Sequence, residues 1–382
     1  MTVKTCSRCL YDSSIGSLSF DAEGVCNYCR IQEQLEAQHP TDARGAAHLE
    51  AIAAKIKKEN RDKPYDVIVG VSGGCDSSFL VYQAKELGLR PLAVHFDNTW
   101  NSTVATENIH AVLEALDVDL YTYVVDNREY DDILRSFLLA GVKDIETPTD
   151  IGLASVLYMA CEKYDVKYIF EGHSFRSEGV APLDWFYMDG KYIESVHAQF
   201  GKLPMKTFPA MPMRKFLKWT CVDRIKKIRP LYHMNYQKKK VMELLTRDFG
   251  WTWYGGHHLE NRYTAFCHSY WLPRRFGIDS RVLGYSALIR SGQMTREEGL
   301  EAMKEQPVFD DEIVNLVKKR FELSDAEFER LVAIPKKVYR DYPTYKPTFE
   351  KMRPFFWALS RADLVPKSFY IKYTAPAARP SL

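Results

Sequence analysis

From Asp66 onward the chain alternates between two kinds of apolar spacing. Short, nearly continuous apolar runs lie at Val67–Val71, Pro91–Phe96, Leu120–Val125 and Lys167–Glu171. Runs of this length read as buried strands. Between them, segments at about 77–87, 102–116, 129–140 and 149–164 repeat their apolar positions with the helical period. Such alternation predicts an α/β fold, a parallel sheet with helices on both faces. Upstream, residues 31–60 are charged and helix-prone, broken at His39–Asp42, with an amphipathic helix expected over Ala46–Lys58. Downstream, helices are expected at Arg296–Lys304, Asp310–Arg320 and Asp325–Ile334, followed by a proline-containing tail. The expected units are residues 1–35, linking helices over 36–64, the sheet domain over 65–230 and a mainly helical C-terminal region over 231–382.

The first strand runs directly into Ser72-Gly73-Gly74-Cys75-Asp76-Ser77, and a helix starts immediately after it. Adjacent glycines let main chain approach an anion closely, and a helix N-terminus faces it with unpaired N–H groups. Ser72 and Ser77 add hydroxyls, and Asp76 is a candidate ligand for a nucleotide-bound Mg²⁺. A ligand-free tight turn is the plain alternative. Neither G-x-x-x-x-G-K-[ST] nor G-x-G-x-x-G is present, so this is a phosphate site of another kind. In parallel sheets ligands lie beyond the C-terminal strand ends. Two further strand ends carry suitable chemistry. One is Asp97, whose other reading is to cap the next helix; the other is the run Glu171, Gly172, His173, Arg176 and Glu178. There Gly172 permits close approach, Arg176 can hold an anion bidentately, and Glu171, His173 and Glu178 can handle protons or an amine.

Composition narrows the class. Hydrophobic residues at 46% and charged residues at 27% are those of a soluble globular protein. A net charge of +2 argues against wholesale nucleic-acid binding. The N-terminus lacks a signal-peptide core and no apolar run reaches membrane-spanning length, so a cytoplasmic protein is expected. In that compartment the eight cysteines are metal ligands or free thiols. Cys6-x-x-Cys9 and Cys26-x-x-Cys29, separated by residues 10–25, have zinc-ribbon spacing, and Ile15–Gly24 reads as the hairpin between them. Four thiolates would close a structural Zn²⁺ site. An iron–sulfur cluster is the rival, but Cys161, Cys221 and Cys267 show no paired spacing. The basic run Arg214–Arg229, with Lys238-Lys239-Lys240 after it, reads as a pocket wall, an RNA-facing strip or a solvated helix face. His257, His258 and Glu260 cluster behind a glycine turn but lack metalloprotease spacing.

The S-G-G-x-D-S loop resembles that of the PP-loop ATP pyrophosphatase superfamily. Together with the two C-x-x-C pairs it stands in order with Asp97–Ser102, Glu171-Gly172, Ser177-Glu178-Gly179 and Gly255–Arg262, then with Leu272-Pro273, Phe276–Asp279 and Ser291–Glu298. This set resembles the N-acetyl sugar amidotransferase family of bacterial surface-polysaccharide (lipopolysaccharide, O-antigen) and nonulosonic-acid pathways. The resemblance implies a PP-loop, Rossmann-like fold that cleaves ATP to AMP and pyrophosphate. An acetamido group of an acidic, nucleotide-linked sugar would be adenylated on its oxygen, and ammonia would displace AMP to leave an acetamidino group. It further implies that Ser72, Gly73, Gly74, Asp76 and Ser77 serve ATP and Mg²⁺, with Asp97 and Gly172 beside the nucleotide. Asp76, Glu171, Arg176 and Glu178 would be the catalytic set, and Cys6, Cys9, Cys26 and Cys29 would hold structural Zn²⁺. Ammonia would come from a separate glutaminase through a cyclase-like channel subunit. The chain agrees, because Thr2 follows Met1 and no G-x-C-x-G occurs, so neither kind of internal glutaminase nucleophile is present. A tRNA-modifying PP-loop enzyme and a zinc-ribbon scaffold without ATP chemistry are the alternatives.

Overall fold

The computed structural model describes residues 3–256, 259–307 and 309–376. Two helices lead in, α1 (Asn27–Gln38) and α2 (Ala43–Glu59), the second capped by the Asp42 carboxylate on the Arg44 amide. The sheet domain then runs β1 (Val67–Gly70), α3 (Cys75–Glu86), β2 (Pro91–Asp97), α4 (Thr103–Leu116), β3 (Leu120–Val124), α5 (Asn127–Leu139), α6 (Thr147–Tyr164) and β4 (Tyr168–Phe170). Sequence spacing located all eight to within two residues at each end. Ser102 caps α4 and Asp126 caps α5, while Asp117 and Asp165 end α4 and α6 in the left-handed conformation.

After β4 come α7 (Gly190–Phe200), α8 (Met213–Leu217) and a fifth strand, β5 (Lys226–Ile228). The strands are all parallel in the order β3-β2-β1-β4-β5. The chain leaves β1 toward β2 on one side and returns to β4 on the other. The mouth between the C-terminal ends of β1 and β4 is therefore the topological switch point, where such sheets bind ligands. Ser72 and Gly172 both stand there.

Strand β5 was not expected, because the basic run 214–229 was read as a pocket wall, an RNA-facing strip or a helix face. A π-type turn at Lys218–Val222 and a left-handed Arg224 (φ 53°) redirect the chain out of helix and onto the edge of β4. Two lysines in a three-residue strand leave no alternation to read. The Ile15–Gly24 hairpin reduces to one antiparallel bridge, Phe20 with Cys26.

The C-terminal region is helical: α9 (Lys238–Phe249), α10 (Arg262–Phe266), α11 (Arg281–Arg290), α12 (Arg296–Ala302), α13 (Asp311–Arg320) and α14 (Asp325–Ala333). The expected tail holds three more, α15 (Lys346–Lys351), α16 (Arg353–Arg361) and α17 (Lys367–Thr374). Its prolines start these helices instead of preventing them: Pro347 and Pro354 sit in first turns and Pro366 is an N-cap. One core face joins Ile68, Val94 and Phe96 to α5, α6, α10 and α13, and the other joins Val67 and Val69 to α3, α4, α9 and Trp251. The C-terminal helices thus share the sheet's core. Among the described residues no helix is long and apolar enough to cross a membrane.

Candidate active site

The loop after β1 is held from behind. Gly73 has φ +79°, and a β-carbon there would collide with the Ala105 carbonyl of α4. Its own carbonyl accepts from the Trp251 indole N–H (3.0 Å) and the Asn108 side-chain amide (3.3 Å). Asn108 in turn pairs with both main-chain groups of Thr252, at 2.7 and 2.8 Å. Ser77 Oγ accepts from the Ser72 amide at 3.3 Å and donates to the Gly74 carbonyl at 3.2 Å, and Ser72 Oγ accepts from the Gly74 amide at 3.3 Å. With the Gly73 carbonyl tied to the scaffold, the first-turn amides of α3 are left for an anion at the mouth. Gly73→Ala is expected to cost at least about 1–2 kcal/mol from the left-handed backbone alone, read by urea unfolding. An unchanged unfolding midpoint would falsify this geometry.

Asp76 sits in the first turn of α3. It accepts a hydrogen bond from the Tyr236 hydroxyl and lies 3.7 Å from Lys238 Nζ. Burial pushes the Tyr236 phenol well up, and Asp76 and Cys75 push it further, so it stays a donor. Burial alone would lower the Lys238 ammonium, but Asp76 and Glu178 overcome this and keep it charged. A carboxylate and a lysine side by side at a helix N-terminus suit a phosphate chain with its Mg²⁺. Cys75 is buried 3.6 Å from the Tyr236 hydroxyl, with burial raising its thiol to about 12, which is a filler's environment and not a nucleophile's.

The β2 exit is stitched to a segment 160 residues away. Asn261 donates to Asn98 (3.1 Å) and Asn101 (3.3 Å), the Ser102 amide to the Glu260 carbonyl (2.9 Å), and the Arg262 amide to the Trp100 carbonyl (2.8 Å). Gly74 is bare for the same reason: a β-carbon there would stand 3.2 Å from Glu260 Oε1 and 3.3 Å from the Tyr254 hydroxyl. Asp97 accepts from the Thr99 amide (2.8 Å), fixing a turn with φ +63° at Thr99, while α4 is capped by Ser102. Asp97 thus stands at the C-terminal end of β2 and does not cap the helix. His257 and His258, which with Glu260 formed the other histidine cluster, lie outside the described residues.

At the β4 exit, Gly172 stands opposite the loop, where an added β-carbon would come 3.7 Å from the Asp76 and Ser77 main chain. Glu171 binds two cations from β5 and its exit, Lys227 at 3.1 Å and Arg229 at 2.5 Å. Burial would raise its carboxyl, but these two cations hold it well below the usual carboxylate range. His173 accepts from the Tyr232 hydroxyl (3.0 Å) and donates to the Gly179 carbonyl (3.2 Å). Burial, with Arg229 nearby, lowers its pKa to about 4, so it is neutral at neutral pH, with Glu178 3.9 Å away. Arg176 is buried on the Phe175 ring and gives its guanidinium to the Tyr232 (2.8 Å) and His39 (2.9 Å) carbonyls. It clamps the α1–α2 link to the site.

The four N-terminal cysteines are fully buried, and their sulfurs all lie within 4.8 Å of one another. Measured pairs are 3.6, 3.7 and 3.9 Å. Zn–S bonds of about 2.3 Å put the corners of a tetrahedron about 3.8 Å apart, so the set fits one zinc ion and is too wide for disulfides. Arg290, from α11, is buried with them and donates to Cys9 Sγ (3.1 Å) and Cys29 Sγ (3.4 Å). A buried guanidinium aimed at sulfur favours the thiolate form, which is the form that ligates zinc. Of the remaining cysteines Cys75, Cys161 and Cys267 are buried and Cys221 partly so. None joins another metal-ligand group among the described residues.

Sequence reading missed Asn108, Tyr236, Trp251, Tyr254 and Arg290. Arg290 and Tyr254 directly precede Ser291-Gly292-Gln293 and Gly255–Arg262, and Trp251 and Tyr254 lie in an aromatic stretch that reads equally as core or as a sugar-stacking surface. The first of these motifs is used: Ser291 donates to the Arg176 carbonyl (2.8 Å), and Gln293 bonds both the Tyr236 carbonyl and the Lys238 amide (3.3 Å each).

Residues 260–354 match the family model for the C-terminal domain of WbpG-like LPS biosynthesis proteins. This chain carries a WbpG-like C-terminal domain. The match begins at Glu260, beside Gly74, so the WbpG-like domain starts in the wall of the loop. The chain is also similar to PP-loop ATP pyrophosphatases. It is 27% identical to a tRNA(Ile)-lysidine synthase of Chlamydia pneumoniae over 171 residues, 44% of each chain. It is 30% identical to the tRNA-specific 2-thiouridylase MnmA of Colwellia psychrerythraea over 128 residues, 29% of this chain and 34% of that one. The chain thus spans less than half the length of these curated relatives. Among solved structures, NMN synthetase from Francisella tularensis aligns over 75% of this chain and 96% of its own, with 14% identity and a TM-score of 0.30. The resemblance expected from the motifs therefore holds for both parts, PP-loop and WbpG-like.

Proposed function

We propose that this protein is an ATP-dependent amidotransferase that converts an acetamido group of an acidic, nucleotide-linked sugar into an acetamidino group. The observation that carries this reading is the joining of the two homologies in one site, with Glu260 and Asn261 of the WbpG-like domain built into the phosphate loop's surroundings. An amide oxygen is a poor leaving group, and transfer of AMP onto it makes it a good one. Pyrophosphate would leave into the Ser72–Ser77 loop, and Asp76 would hold Mg²⁺ with Lys238 on the phosphates. Asp97 and Gly172 would border the nucleotide. Ammonia would then add to the imidate carbon and AMP would depart. The protein's remaining tasks are positioning, charge stabilisation and exclusion of water from the imidate. Glu171 would orient substrate through Lys227 and Arg229, and Glu178 would accept the amine's proton. Arg176 would act from behind, holding the site together through its carbonyl contacts. Ammonia would come from a separate glutaminase through a channel subunit, as the family resemblance implies.

Mass spectrometry of reactions with acidic N-acetylated sugar nucleotides, ATP and ammonia tests this. The expected product is lighter by about one dalton, O replaced by NH, with AMP and pyrophosphate formed in equal amount. The two tRNA-modifying relatives motivate a second reading. Under it, tRNA binding would weaken steeply with salt, as several phosphate contacts require, and no sugar would change mass.

A further inference from the structure

Helices α15 and α17 turn back toward the exits of β4 and β5, and a cavity of about 310 Å³ lies between them and α6. Its floor is the Glu171–Lys227–Arg229 cluster, and its walls include Tyr158, Phe349 and Phe369. Two cations share one carboxylate at the floor, so the cluster carries a net positive charge that its own residues do not cancel. Lys372 lines the same cavity; burial lowers its ammonium, while Asp150 and Asp144 act to keep it charged. The acids nearby are Asp150, Asp189 and, behind them, Asp144. Asp189 is occupied by the Tyr187 hydroxyl and by the Tyr192 (2.7 Å) and Tyr345 (2.7 Å) amides. Asp144 accepts from the Tyr187 amide (3.0 Å), and burial raises its carboxyl to about 7, leaving it partly neutral. Asp150 is exposed. The buried floor therefore favours an anion, while the walls favour a flat or ring-shaped apolar face. The volume lies at the small end of ligand pockets and leaves room for one sugar ring.

We propose that this cavity binds the carboxylated pyranose of the substrate, with the carboxylate on Lys372 and Arg229 and the ring face against Phe369. The proposal rests on the sugar-amidation reading above. Its link to that chemistry is short: Glu171 of the floor adjoins Gly172, whose main chain stands against Asp76 and Ser77. A ring held here projects toward the phosphate loop, and a nucleotide carrier would extend out of the cavity.

The test compares N-acetylglucosaminuronate with N-acetylglucosamine, which differ only in the carboxylate, by calorimetry on the full chain without ATP. The acid is expected to bind at least about tenfold more tightly. Lys372→Gln should remove that preference and leave the neutral sugar unaffected, and Phe369→Ala should weaken both, each variant first shown to keep the parent's circular dichroism. Equal affinities, no binding of either sugar at tens of millimolar, or acid binding unaltered by both variants would overturn the cavity assignment. Amidation of an acidic sugar nucleotide with KM unchanged in both variants would overturn the cavity alone. Carboxylate-selective binding lost in the variants, without any amidated product, would keep the cavity and sink the amidation.

Discussion

Asp76→Ala is expected to lower AMP formation by about 10³-fold, with a smaller change in KM for the sugar. The expectation comes from what surrounds the carboxylate. Asp76 is the acidic residue of the loop itself, in the first turn of α3, where under the proposed reaction a developing pyrophosphate would be neutralised. Loss of one preorganised group aimed at developing charge costs about 10²–10³ in rate, and here the group would also hold the metal. Tyr236→Phe removes the hydrogen bond to Asp76 but leaves the carboxylate, so its loss should be far smaller, about tenfold. The pair separates chemistry from folding. In Asp76→Ala the Lys238 ammonium loses a partner, which lowers stability without unfolding a chain of this size, and thermal melting checks that. Turnover within a few-fold of the parent in Asp76→Ala would end the assignment of this loop to ATP cleavage.

The second large effect is on the four-cysteine cluster. The cluster is expected to carry zinc, measured as metal per chain, and Cys26→Ser should lose it and destabilise the fold by about 3–5 kcal/mol, the cost of breaking a buried charge cluster. Arg290 limits the size of this effect, because it is buried against Cys9 and Cys29, and both of these sulfurs remain in the variant. The consequence should reach ATP as well. Ser291 follows Arg290 and holds the Arg176 carbonyl, and Gln293 holds Tyr236 and Lys238, the two partners of Asp76. Loosening α11 therefore loosens the loop's aspartate, and Mg-ATP affinity should fall together with the metal content. A Cys26→Ser protein that keeps one zinc and the parent's denaturation midpoint would refute the tetrathiolate site.

Much of this was readable along the chain. Strands β1, β2 and β4 announce themselves because strands buried on both faces must be apolar throughout, the half-exposed edge strand β3 by its β-branched and aromatic residues, and the loop because glycine, serine and aspartate at fixed offsets have a mechanical reason to be there. The C-x-x-C pairs were readable for the same reason. Groups that close the site from a distance were not. Trp251 and Tyr254 look like core, Lys238 looks like a solvated lysine run, and Asn108 sits inside a helix with no mark of its role. What distinguishes them is their acceptors, and acceptors are set by topology. Arg176 illustrates the limit. Its type and position suggested an anion holder, yet its buried guanidinium is spent on two main-chain carbonyls, which no pattern of side chains could reveal. Glu171 was singled out as a proton or amine handler, but the two cations that hold it ionised come from a strand too short and too basic to be recognised.

The asparagine stitch between the β2 exit and Asn261 bears on how such enzymes can be recombined. A C-terminal region that merely rested on the sheet could be exchanged for another and bring a new substrate with it. Here residues 260–262 complete the hydrogen bonding of residues 98–102, and Arg320 of α13 reaches Thr99 in the same turn. A chimera has to cut around both partners, carrying the 97–102 turn with its donor region, or it will leave the hydrogen-bonding groups at the β2 exit unmatched.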